Sequence, residues 1–118
     1  MYTAEKGYMY PVKHFVLELE QAKTMEAFLK LDAEIWTTFL KQQRGFISKQ
    51  VWMQTTAPRI LHILITWRTK EEWKRITNRE WEETAAVFSM KFGSGYRLIK
   101  EDPEAAKQDI YECSSFIK

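Results

Sequence analysis

The chain has 118 residues, of which 45% are hydrophobic and 29% charged, with a formal net charge of +2. That length buries a core without a metal or disulfide staple, and the composition is that of a globular protein. Basic and acidic residues are mixed with no basic run, so no electrostatic footprint marks a nucleic-acid or anionic-membrane partner. The single Cys113 leaves no internal disulfide and fits a reducing compartment.

In chain order, residues 1–10 are polar and Tyr-rich and read as a loose arm. "MYTAEKGYMYP" lacks the apolar stretch of a signal peptide, and no apolar run approaches the roughly 20 residues of a membrane helix, so a cytoplasmic location is expected. "KHFVLELE" alternates as a strand should. Thr24 is placed to cap a helix running to about Gln43, with an apolar stripe of Met25, Phe28, Leu29, Ile35, Trp36, Phe39 and Leu40. Gly45 is free to end it at positive φ. "FISKQVWMQ" and "RILHILITW", joined by "TTAP", read as a strand hairpin. Thr69 caps a second helix, whose first piece carries Trp73 and Ile76; Thr77-Asn78 looks like a break, and Asn78 can cap its second piece, with Trp81, Ala85, Phe88 and Phe92 up to the "GSG" stop. "YRLIKE" is the next strand, Pro103 starts a turn, "QDIYEC" is an edge-like strand, and a tail closes the chain at 113–118. The whole reads as one domain over 1–118.

The order β-α-β-β-α-β predicts an α+β, ferredoxin-like fold with an antiparallel sheet. One layer of helices covers one face of such a sheet, and the other face should then be polar. "HILITW" is apolar on both sides: Ile63, Ile65 and Trp67 point one way and Leu64 the other. The simplest cover for the second face is another copy of the chain, a homodimer. The N-terminal arm or the C-terminal tail folding over it is the competing arrangement.

Four stretches, "KLDAEIWTTFL", "RGFISKQVWM", "ILITWRTKEEWKRI" and "FGSGYRLIKE", resemble a family of small uncharacterised proteins in the dimeric α/β-barrel superfamily, which includes antibiotic-biosynthesis-monooxygenase-like proteins. The resemblance spans roughly residues 12–112. It implies two sheets joined as a barrel, with a cleft in each subunit between sheet and helices. It leaves the chemistry open among cofactor-free oxygenases, haem-degrading proteins, isomerases and inactive members.

Asp32 sits within the apolar stripe of the first helix, where a carboxylate is costly unless paired, and burial would suit it to move protons. A structural carboxylate bonded to an indole or backbone amide is the plainer reading. His14 and His62, on neighbouring strands, are candidate proton carriers; a partly buried histidine bonded to a backbone group or to Asp32 is the plainer reading. Trp36, Trp67, Phe39 and Trp52 are the candidate walls for a small aromatic or hydrophobic molecule, whereas Trp73 and Trp81 read as core.

Two His and one distant Cys lack metal-ligand spacing, so no metal is expected. No nucleotide fingerprint, phosphate loop or nucleophile elbow is present, and no cofactor is expected. The functional expectation is a cofactor-independent monooxygenase-like enzyme or isomerase. A non-catalytic module that binds or senses a small molecule, haem for example, stands beside it.

Overall fold

The structure, a computed structural model, describes residues 9–100 and 110–114. Strand β1 (Tyr10–Leu19) leads through a short 3-10 turn (Ala22–Thr24) into helix α1 (Met25–Asp32). A π-helical segment (Ala33–Thr37) follows, and α2 (Thr38–Lys41) closes the helical stretch. The hairpin β2 (Phe46–Gln54) and β3 (Ala57–Trp67) comes next. Helices α3 (Lys70–Lys74) and α4 (Asn78–Phe92) precede β4 (Tyr96–Lys100) and a short β5 (Ile110–Glu112). The sheet runs β2-β3-β1-β4, with β5 also pairing β1, and every pairing is antiparallel. This is the expected α+β, ferredoxin-like arrangement.

Cross-strand register decides which side chains share a face. Phe15 pairs with Ile63 and Leu17 with Leu61 across β1 and β3, and Val51 of β2 pairs with Ile63. This row faces the helices. Leu19, Leu61, Ile63, Ile65 and Trp67 on it are buried. Against it Phe28 of α1 and Phe88 of α4 meet edge to face at 5.2 Å, with Phe92 and Tyr96 completing an aromatic cluster. Phe28 and Phe88 are fully buried, each worth about 1.5–3 kcal/mol in removal from water.

Local signals explain most boundaries. Gly45 ends the first helical stretch at φ 86°, and a Cβ there would stand 2.7 Å from Cβ of Glu72, so only glycine fits. The Thr69 hydroxyl accepts from the Glu72 amide and starts α3. Gly93, at φ 92°, stops α4.

Several expectations are corrected. β1 begins at Tyr10, inside the stretch read as arm. Thr24 stands at the N-cap position of α1 but makes no side-chain cap bond; its hydroxyl donates to the Gln21 carbonyl at 2.7 Å across the preceding 3-10 turn. Thr77, rather than Asn78, caps α4, in a capping box with Glu80. The stretch to Gln43 is not one uniform helix, because the π segment interrupts it. Residues 1–8 of the arm, the Pro103 turn and residues 115–118 lie outside the described residues.

Candidate functional site

Between the sheet and helices α1 and α4 lies a cavity of about 430 Å³. The sheet supplies Phe15, Leu17, Ile63 and Ile65; the helical side supplies Trp36, Trp73 and Trp81. Into this apolar, aromatic space project Asp32 and Lys49. Lys49 Nζ donates to Asp32 Oδ2 at 2.5 Å and to the Thr37 hydroxyl at 3.2 Å. Both side chains of the pair are only 6% exposed. Burial pushes the Lys49 ammonium below its ordinary value, while the charge of Asp32 and its hydrogen bond work the other way.

The π segment makes this three-way contact. In an α-helix, residues five apart lie about 140° round the axis, at about 100° each. Asp32 and Thr37 are five apart and bond the same Lys49 nitrogen. The wider i→i+5 winding brings such residues onto one face, and π turns are enriched at functional sites. Lys13, in the same cross-strand row beyond Ile65, also lines the cavity; its Nζ lies 5.2 Å from the ring centroids of both Phe15 and Trp73, a cation–π arrangement.

The two histidines are elsewhere. Val16 pairs with His62 and His14 with Leu64, which puts both imidazoles on the sheet face away from the helices. They meet each other rather than Asp32: His14 Nε2 and His62 Nδ1 are 3.1 Å apart. Partial burial, and then the neighbouring His62, hold the His14 imidazole below its ordinary value.

Of the four aromatics read as cleft walls, Trp36 lines the cavity. Phe39 stands behind it, packed on Trp36 and Trp81. Trp67 is buried in the core against Phe46. Trp52 pairs with His62 on the opposite face and is 55% exposed. Trp73 and Trp81, read as core, are cavity-lining.

Lys49 and Lys13 escaped the sequence reading. The signal was there: each is in phase with inward apolar residues of its strand, Lys49 with Val51 and Lys13 with Phe15. A lysine on a strand's core face calls for a partner.

Among the described residues no group of three or more His, Cys, Asp or Glu is arranged to hold a metal ion, and no helix is long and apolar enough to cross a membrane. No histidine is among the described residues lining the cavity, so those residues offer a haem placed there no imidazole ligand.

The fold is a ferredoxin-like α+β arrangement, which solved structures of an antibiotic-biosynthesis-monooxygenase-like protein and of a dimeric ferredoxin-like protein share. A dimeric ferredoxin-like protein from an uncultured marine organism matches with a TM-score of 0.56 at 12% identity, covering 94% of this chain and 93% of that one. A conserved protein from Methanosarcina mazei Go1 matches at 0.52 and 17% identity, over 88% and 90% of the two chains. The monooxygenase from the gene ActVA-Orf6 of Streptomyces coelicolor, solved with nanaomycin D, matches at 0.53 and 8% identity, over 94% and 91%. At these identities the likeness is one of fold. No family model matches the chain, and no curated protein does.

Proposed function

We propose that the chain is a cofactor-independent, monooxygenase-like enzyme acting on a small aromatic or hydrophobic substrate held between sheet and helices. The observation that carries this reading is the buried Asp32–Lys49 pair inside an aromatic-walled cavity large enough for such a molecule. Asp32 takes a proton from an acidic O–H or C–H of the substrate, and the Lys49 ammonium stabilises the resulting anion in a site where water screens little. The electron-rich anion then reacts with dioxygen. For a phenol oxidised to a quinone, one oxygen atom enters the ring and the other leaves as water, so no external reductant is consumed. The Streptomyces monooxygenase with nanaomycin D shares the fold and motivates polycyclic phenols as the first substrates to try.

Oxygen uptake with a panel of polycyclic phenols, followed by mass spectrometry under isotopically labelled dioxygen, tests the reading. The label should appear once in the product, and Asp32→Asn should abolish turnover. Full turnover in Asp32→Asn removes Asp32 from the chemistry.

We also propose that a second copy covers the far sheet face. Val16, Ile60 and Leu64 lie on it half-buried, and Trp52 stands 55% exposed among them. Apolar side chains on an open sheet face support that reading. Native mass spectrometry should report a dimer, and Trp52→Asp should shift it to monomer; a monomeric parent chain refutes the assignment.

A further inference from the structure

We propose that Lys49 is an amine nucleophile that captures an aromatic aldehyde or ketone in the cleft as an imine. The inference goes beyond the oxygen chemistry above and shares with it only the premise that the cleft admits an aromatic molecule.

The placement of the nitrogen carries the argument. Lys49 reaches inward from the core face of β2, and its side chain is 6% exposed, yet it lines the 430 Å³ cavity. Among the described residues its nitrogen bonds Asp32 and Thr37, and an ammonium has three N–H directions. Those two bonds use two of the three directions, and Lys49 is itself part of the cavity wall. Ordinary lysines are poor nucleophiles because they are protonated; a lysine desolvated in an apolar pocket is activated. The surroundings of Lys49 act in that sense, since burial holds its ammonium below the usual lysine range.

The step balances with the groups present. The ammonium gives a proton to the Asp32 carboxylate along the existing 2.5 Å hydrogen bond. The freed lone pair attacks the carbonyl carbon, and the C–N bond forms. The carbonyl oxygen takes one of the two remaining N–H protons and becomes a hydroxyl. The hydroxyl takes the last N–H proton as the C–O bond breaks, and leaves as water. The product is an imine; nothing is oxidised or reduced. Phe15, Trp36 and Trp73 offer the aromatic part of the substrate apolar walls. An imine so held draws electrons from an adjacent C–H bond, which suits proton transfer next to a carbonyl.

The test is reductive trapping on the intact protein. Benzaldehyde and sodium cyanoborohydride are added near neutral pH, the hydride converts any imine to a benzylamine, and each lysine is scored by peptide mass spectrometry. Each unit by which an amine's pKa falls raises its free-base fraction about tenfold well below that pKa. Burial moves the Lys49 amine in that direction, so Lys49 should carry more benzyl than exposed Lys30, Lys41 and Lys91. Lys49→Arg should erase that one site and leave the rest unchanged. Benzyl alcohol, which fits the cleft but has no carbonyl, should protect Lys49 alone.

Labelling of Lys49 at or below the surface level overturns the proposal. If benzyl alcohol still perturbs tryptophan fluorescence in that case, the cleft remains open to aromatics and the oxygenase reading survives. If it does not, both readings fall together.

Discussion

Removing one member of the buried ion pair should cost more than removing both. In Asp32→Asn the Lys49 charge keeps its burial, with a side chain 6% exposed, but loses its counter-charge. Breaking such a pair from one side costs about 3–5 kcal/mol, whereas replacing both ions by apolar groups of similar volume is often neutral or stabilising. The double variant Asp32→Leu with Lys49→Met should therefore recover most of the loss. The single variant should also depend on pH. Burial depresses the folded-state pKa of Lys49, and without Asp32 nothing named here raises it again. Between that lowered value and the ordinary lysine value of 10.5 the unfolded chain binds more protons, so stability rises with pH there. Urea unfolding of parent, single and double variants, at one protein concentration and at pH 7 and 9, gives the coupling energy directly. A single-variant loss below about 1 kcal/mol, with no recovery in the double variant, would refute the claim that the pair is desolvated.

Three further outcomes are expected. Gly45→Ala meets both the positive φ and the side chain of Glu72, so it should cost at least the roughly 1–3 kcal/mol of a strained backbone, read as a lower thermal midpoint. Arg68 hydrogen-bonds Glu72 through two nitrogens, at 2.8 and 2.5 Å, and holds its carboxyl below the ordinary carboxylate range. That stabilisation is full above the unfolded carboxylate value and is lost as pH falls through the lowered folded value, so Glu72→Gln should flatten the acid limb of the stability curve. Phe88→Ala, at a fully buried site, should cost about 3–5 kcal/mol in urea; a loss under about 1 kcal/mol would mean that the aromatic cluster is not packed as described.

The sheet was legible because its residues obey a period of two. "HILITW" declared both faces of β3 by alternation, whereas the pairing of Phe15 with Ile63 is a matter of register that the structure supplies. Asp32 stood out for the same kind of reason, a charge in an apolar stripe. Its partner was less visible because it comes from another element, and pairing Lys49 with Asp32 needs the tertiary approach of β2 to α1. The faces of His14 and His62 were open in the sequence; register settled them, and it set them against each other on the side away from Asp32. Trp67 and Trp73 exchanged roles for a geometric reason. A strand-ending tryptophan turns under the sheet's end against Phe46, while one on a short helix reaches back over the cavity.

The π segment gives the helical stretch one residue more than regular winding would use. A surplus of that kind is an insertion that the chain absorbs without a loop. Deleting Glu34, an exposed residue inside it, would let the stretch rewind as plain α-helix and still deliver the chain to Gly45. Thr37 and Asp32 would then fall four apart instead of five, and Trp36 would rotate relative to the cavity. Regular winding also sets residues four apart on one face, so Asp32 and Thr37 would still reach Lys49 together, and the change would fall on the part of the cavity wall that Trp36 supplies. Length at this point in the chain is thus adjustable by single residues, and the deletion separates what the helix needs to fold from what sets the shape of the cavity wall.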